Sequence, residues 1–249
     1  MADINVEGLS LPGTVQQDLN QLCRDLESSL GDNLVSLILY GSLVHGEYTQ
    51  DKSDANIIVV LNDVSIDALD EITKPYRNSQ QGLRASLMVL TEDDLNRSTD
   101  VFPAKFLDIR DHHHVLTGKD VVSGMEISSE HVRLRLEQEI KNLLLRLRMF
   151  YLKRALATGG LQSILTHGIS SFIHNLATLL RLKKGEAPEE NRKVIEEAAE
   201  VMGLEAKPML DALALKSGSS QLSGDALRGL YGEFLETVEK AAKVVDGME

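Results

Sequence analysis

The chain of 249 residues contains a single cysteine, Cys23, and no tryptophan, and aromatic residues make up only 4% of it. One thiol cannot form an intramolecular disulfide, which is typical of proteins from a reducing compartment. Because rings are scarce, a core must be built mainly from Leu, Ile, Val and Ala. Hydrophobic residues make up 43% of the chain, which is enough to build such a core. The composition therefore predicts a globular protein with an aliphatic interior.

Long apolar segments are also missing. No run reaches the roughly 18 residues that a membrane-spanning helix needs. Residues 1–5 contain neither a basic stretch nor an apolar one, so they do not resemble a secretory signal. We expect a cytoplasmic protein that does not associate with membranes.

Positive charge is scarce in the first half of the chain. Of the formal net charge of −12, residues 1–124 carry −11, from 9 Lys/Arg against 20 Asp/Glu. An acidic surface repels the phosphate backbone, which argues against general nucleic-acid binding. A small anionic ligand that arrives with a metal ion is still compatible with this charge.

The first half alternates helical and strand patterns. Apolar residues at three- and four-residue spacing predict a helix over 14–30, and two nearly continuous apolar runs predict buried strands. Thr91, followed by three acids, is typical of a helix N-cap. In order, we predict helix 14–30, strand 34–40, strand 55–61, helix 65–76, strand 84–90 and a helix after Thr91.

The second half shows only helical periodicity. Gly, Pro and Ser clusters separate five predicted helices, at about 129–157, 161–183, 188–203, 206–216 and 223–245. We therefore predict an α/β (α+β) domain with a mixed sheet over residues 1–124 and an all-α helical bundle over 125–249.

The segment with recognisable chemistry is Gly41-Ser42, at the end of the first strand, followed after eleven residues by Asp54-x-Asn56 at the start of the second. A glycine at the end of a strand allows a phosphate to approach backbone N–H groups, and the Ser42 hydroxyl can add a hydrogen bond. Residues 54 and 56 project from one face of a strand. A carboxylate there, beside a phosphate cradle, can hold the Mg²⁺ of a nucleoside triphosphate (NTP).

This arrangement resembles the signature of the nucleotidyltransferase superfamily, which includes polymerase-β-like and aminoglycoside-modifying enzymes. The resemblance covers about residues 15–120, and extends to the helical half by analogy. It implies a nucleotidyltransferase-like fold with Gly41 and Ser42 at the nucleotide, Asp54 as a catalytic carboxylate and Asp54 with Asn56 at the metal.

Two features depart from the family pattern. Asn56 stands where the family has a second acid, and the strand 84–90, where a third is expected, contains none. The resemblance implies three carboxylates that hold two metal ions, and only Asp54 matches. Because a neutral amide cannot balance a divalent charge, we expect Mg²⁺ binding to be weakened or lost.

Other clusters are better explained without a site. His112-His113-His114 lacks the further ligands that Zn²⁺ requires and is interpreted as an exposed edge segment. His167 and His174 are interpreted as histidines at the edge of the core. The segment 131–154 carries seven Lys/Arg against two Glu, which is typical of a solvated helix face, although some of its cations could instead meet phosphates or an acidic partner.

Two functional hypotheses follow. In the first, the chain is a nucleotidyltransferase-fold protein with a degenerate site that binds a nucleotide, another small molecule or a protein partner, including a second copy of itself. In the second, it is an active Mg²⁺-dependent enzyme that moves a nucleoside monophosphate from an NTP to a small hydroxyl acceptor, with acids recruited from elsewhere. The acceptor, the preferred base and the oligomeric state are not encoded in any recognisable pattern.

Overall fold

The structure is a computed structural model that describes residues 4–6, 8–9, 11–44, 54–154 and 159–248. Contacts divide the chain into two compact units, Met1–Ile127 and Ser128–Glu249. The sequence boundary was expected after residue 124. Met125 and Ile127, however, pack with the first unit, in a cluster that contains Ile38 and Ile58.

The first unit is a four-stranded mixed sheet with helices on both faces. Its elements are α1 (Gly13–Leu30), β1 (Leu34–Tyr40), β2 (Ala55–Leu61), α2 (Ile66–Ser79), β3 (Ala85–Thr91), α3 (Glu92–Arg97), α4 (Pro103–Asp111) and β4 (His113–Gly118). The strands lie in the order β3-β2-β1-β4, in which β1 is antiparallel to both β2 and β4, whereas β2 and β3 are parallel.

Side-chain alternation along the strands creates two separate cores. Leu37, Ile57 and Val59 face α1 and α2, where they pack against residues such as Leu22 and Ile72. The neighbouring residues on each strand, such as Ile38 and Ile58, point the other way. They pack against α3, the segment after β4 and α4, which contributes Phe106. Strand β2 is therefore covered on both faces, as its continuous apolar sequence predicts.

The predicted elements of the first half are confirmed, with small shifts at their ends. Thr91 caps α3, and its hydroxyl accepts a hydrogen bond from the Asp94 N–H at 3.0 Å. Helix α2 continues to Ser79, beyond the predicted end at 76. Strand β3 begins at Ala85, because Arg84 has a φ of +49° that a regular strand cannot contain. Helix α4 and strand β4 are additions that no periodicity indicated.

A short turn after β4, at residues 120–123, connects the end of the first unit to that strand through hydrogen bonds of Asp120. Asp120 Oδ1 accepts hydrogen bonds from the N–H groups of Val122 and Ser123, each at 3.0 Å, and Oδ2 lies 2.5 Å from the Ser123 hydroxyl and 3.4 Å from His113 Nε2. Partial burial raises the pKa of Asp120, but the hydrogen bonds from Ser123, Val122 and His113 outweigh it and lower the pKa to about 2. The carboxylate thus holds Val122 where it enters the core beside Ile38.

The second unit consists of five helices over its described residues, in agreement with the predicted pattern. They are α5 (Ser129–Arg154), α6 (Gly160–Lys184), α7 (Asn191–Met202), α8 (Lys207–Ser217) and α9 (Gly224–Asp246). Phe172 and Phe234 meet edge to face at 5.9 Å in the core. The buried Tyr231 hydroxyl donates a hydrogen bond to the Leu147 carbonyl at 2.7 Å and so joins α9 to α5. No helix in the described part of the chain is long and apolar enough to cross a membrane.

Candidate functional site

The Gly41-Ser42 segment forms a 3₁₀ turn, Gly41–Leu43, directly after β1. Gly41 has a φ of +80°, and a Cβ atom built on it would lie 3.0 Å from the side-chain nitrogen of Asn56. Both the backbone conformation and the space beside it therefore require glycine. Ser42 is half-buried in the turn. The residues that follow, 45–53, lie outside the described part of the chain.

Strand register brings the predicted site positions into one row across the sheet. Tyr40 is paired with Asn56 and with His113, and Asn56 is paired with Ser86. Paired residues on neighbouring strands share a face, so these four side chains lie side by side on the face that α4 covers. Met88 is two residues further along β3, next to Ile58 and on the same face. Ser86 and Met88 are therefore the residues of β3 on this face, and neither of them is acidic.

Asp54 lies just before β2 and forms an ion pair with Arg84, with 3.0 Å between Oδ1 and Nη2. Arg84 occupies the corresponding place just before β3, and its carbonyl accepts a hydrogen bond from the Ala55 N–H at 3.2 Å. Its left-handed φ, unusual for a residue other than glycine, costs on the order of 1–2 kcal/mol. Such strain is concentrated at functional sites. Both side chains are about half exposed, and the carboxylate expected to bind a metal is instead bound to a guanidinium.

A second cation lies above the same face. Lys105, in the first turn of α4, places Nζ 3.4 Å from the sulfur of Met88 on β3 and 5.7 Å from the ring centroid of Tyr40 on β1. Because β2 lies between these two strands, the ammonium group is above β2 near its start. Burial raises the pKa of Tyr40, so this phenol stays neutral beside the cation.

The residues at this edge do not match the requirements of Mg²⁺. That ion prefers carboxylate and other oxygen ligands in octahedral geometry. The described residues offer one carboxylate, Asp54, already paired with Arg84, together with the neutral side chains of Asn56 and Ser86. Lys105 adds repulsion. Across the described part of the chain, no three His, Cys, Asp or Glu residues are grouped so that they could hold a metal ion.

The histidine triplet lies at the edge of the sheet, as expected, but its three residues are partly buried rather than exposed. His113 and His114 lie on β4, the edge strand of the sheet, where His113 Nδ1 donates to the Ile109 carbonyl at 3.0 Å and His114 Nε2 lies 3.0 Å from the Asn5 carbonyl. His112 lies 3.7 Å from Asp108 on α4. Because each ring is directed to a different partner, the triplet does not converge on a point.

The basic segment of α5 is paired largely within the second unit. Arg133 and Lys141 contact Glu137, Arg135 contacts Glu139, and further bridges join Lys141 to Asp246 and Arg148 to Glu239. These partners lie on α5 and α9, which supports the interpretation of a solvated helix face.

Arg146 is placed differently from its neighbours on α5. It lines a concavity of about 520 Å³ with Phe150, Ser163, Ile164 and His167. His167 is exposed there, and its Nδ1 donates to the Ser163 carbonyl at 2.7 Å. The spacing along the sequence did not predict that Arg146 and His167 lie close together, because they belong to different helices.

Two residues beside the row were missed by the sequence analysis. Arg84 had a detectable signal, because it directly precedes β3 as Asp54 directly precedes β2, and parallel strands begin side by side. Lys105 had none, because its helix showed no clear amphipathic pattern and nothing in the sequence indicated contact with β1 and β3.

Neither a protein-family model nor a curated protein sequence matches this chain. Among solved structures, the chain is similar to the crystal structure of spectinomycin adenyltransferase AAD(9) from Enterococcus faecialis with ATP and spectinomycin. The match covers 90% of this chain and 99% of the other, with a TM-score of 0.56 and 11% sequence identity. Identity at this level is evidence of fold alone. The predicted fold is confirmed: this chain has a nucleotidyltransferase-like α/β fold followed by a helical region.

Proposed function

We propose that the chain is a nucleotidyltransferase-fold protein that has lost nucleotidyl transfer and binds a phosphate-bearing ligand, with a nucleotide as the leading candidate. The ion pair between Asp54 and Arg84 is the observation that carries this proposal. It engages the single carboxylate that matches the family pattern, and the residue of β3 that is paired with Asn56 is Ser86 rather than an acid. Without a second or third carboxylate, the described residues of this edge do not supply the acids that the family resemblance assigns to drawing the proton from an acceptor hydroxyl.

Ligand binding is supported by what the site retains. Gly41, at the end of β1, has the left-handed conformation that glycine tolerates, and the turn Gly41–Leu43 follows the strand. The protein of similar fold is described with ATP bound, which makes a nucleotide the natural first ligand to test. We place Gly41 and Ser42 at the phosphates, with Asp54 and Asn56 beside them. The protein would act in the cytoplasm, alone or with a partner.

The alternative is an active Mg²⁺-dependent transferase, and it is favoured by the position of Asp54 at the start of β2. The missing acids would then have to be recruited from elsewhere in the chain. The two functions differ in one measurable property, the release of pyrophosphate.

The test compares pyrophosphate release from each NTP, with Mg²⁺ and a panel of hydroxyl acceptors including spectinomycin, for the wild type and Asn56→Asp. We expect no release above background from either protein, because Asn56→Asp restores only one of two missing acids. Asn96→Asp, on exposed α3, controls for the added charge. Turnover by the wild type would contradict the proposal. Turnover by Asn56→Asp alone would show that an unrecognised acid already serves as the third carboxylate.

A further inference from the structure

The Lys105 ammonium group lies above β2, where it could contact a ligand at the candidate site. The Lys105 ammonium group is in contact with Met88 on one side and Tyr40 on the other, so helix α4 fixes it above the strand that carries Asn56. Among the described residues, Lys105 Nζ lies beside a thioether and an aromatic ring, both of which are uncharged. Its charge is therefore available to a ligand, in contrast to that of Lys119, which is bound to Glu92.

The charges at this edge favour an anion over a cation. Among the described residues beside the start of β2, two are cations, Arg84 and Lys105, and one is a carboxylate, Asp54. Asn56 and Ser86 are neutral. A divalent cation would be repelled by two of the three charged groups, and the third is already in an ion pair. A phosphate group would find an ammonium, an amide N–H₂ from Asn56 and the hydroxyl of Ser86 on one face of the sheet.

Resting on the proposed function, we propose that Lys105 acts as a built-in cation where a metal ion would otherwise stand, so that this site binds a di- or triphosphate group without a divalent ion. Arg84, held by Asp54, adds a second cation at the mouth of the site. The ligand is recognised mainly through its phosphates. Free pyrophosphate and a nucleoside diphosphate or triphosphate share this chemistry.

The experiment is calorimetric titration of the full chain with ATP, pyrophosphate, inorganic phosphate and adenosine, each in EDTA and in excess Mg²⁺. We expect ATP or pyrophosphate to bind in EDTA, and Mg²⁺ to weaken this binding because it neutralises the phosphates. Affinity for ATP but not for pyrophosphate identifies a nucleotide as the ligand, and the reverse identifies a free polyphosphate. Binding that requires Mg²⁺, or adenosine binding as tightly as ATP, would overturn the proposal.

Variants test the residue itself. Lys105→Gln should weaken the metal-free affinity by about tenfold or more, since a charge-assisted contact is lost, and Lys105→Arg should retain most of it. Lys74→Gln is the matched control, because Lys74 is exposed on α2, which packs on the opposite face of the sheet. Met88→Glu should abolish binding by placing a carboxylate beside the ammonium. Equal affinities in the wild type and Lys105→Gln would refute the role of Lys105.

Metal-free polyphosphate binding through Lys105 and the loss of nucleotidyl transfer are separate proposals, and each can be contradicted without the other. If the wild type releases pyrophosphate and also binds ATP or pyrophosphate in EDTA, the proposed function is contradicted but the role of Lys105 as a built-in cation is not. Absence of both turnover and metal-free polyphosphate binding would contradict the built-in cation and leave the loss of transfer standing.

Discussion

Replacing Gly41 by alanine tests the geometry on which the site depends. At a φ of +80°, an alanine in the left-handed region costs on the order of 1–2 kcal/mol. The new Cβ would also meet the Asn56 nitrogen at 3.0 Å, and pushing that amide off its rotamer costs about 0.5–1.5 kcal/mol more. We therefore expect Gly41→Ala to destabilise the strands around it by about 1.5–3.5 kcal/mol.

The two contributions can be separated by a double-mutant cycle. In an Asn56→Ala background the contact is gone, so Gly41→Ala should cost only the backbone contribution. Gly185→Ala isolates that contribution elsewhere, because Gly185 has a φ of +86° and open space around it. Gly13→Ala, with open space and an ordinary φ, should be nearly neutral.

Hydrogen exchange of peptides from β1 and β2 is the appropriate assay, because a chain of two compact units need not unfold in one step. Loss of protection should be confined to the first unit in Gly41→Ala. If the cost of Gly41→Ala is the same with and without Asn56, the amide does not lie against Gly41 and the described site geometry is wrong. A cost below about 0.5 kcal/mol would exclude the left-handed conformation itself.

Two further predictions concern stability. The lowered pKa of Asp120 means that its ionised form stabilises the fold above pH 4 and that this contribution, on the order of 1 kcal/mol after allowance for its exposure, is lost as the pH falls from about 4 to 2. Asp120→Asn should remove this pH dependence in an acid titration followed by hydrogen exchange of β4, and an unchanged profile would contradict the assignment. Tyr231→Phe should destabilise the second unit by about 1–2 kcal/mol in urea, because the buried phenol no longer donates to the Leu147 carbonyl. Tyr151→Phe, whose half-buried ring packs against Tyr231, is the control and should be nearly neutral.

Local sequence patterns were sufficient for most of the secondary structure. The predicted strands 34–40, 55–61 and 84–90 correspond to β1, β2 and β3, and the helical spacing after residue 128 corresponds to α5 to α9. These elements are predictable because burial imposes a period of two or of 3.6 on the residues that face the core. Strand β4 escaped prediction because its short histidine-rich sequence lies at the edge of the sheet, where burial is partial. Helix α4 escaped because its buried residues, Phe106, Leu107 and Ile109, do not form a single stripe.

The sequence alone also determined the motif and the composition of the site. Gly41, Asp54 and Asn56 could be assigned because their spacing along the chain reflects a strand, a turn and a second strand. That two acids of the family pattern are missing was equally visible, since absence of a residue type needs no coordinates.

Only the tertiary structure decided which charged side chains lie beside Asp54 and Asn56. The register of β2 and β3 brings Arg84 to Asp54, and the packing of α4 brings Lys105 over the row that contains Asn56. Thirty residues separate the first pair along the chain. Side-chain neighbours across a sheet are determined by strand order and register, and those depend on how the whole unit buries its apolar surface. For this reason the sequence could show which acids of the family pattern are missing, and only the fold could show which charged groups lie beside those positions.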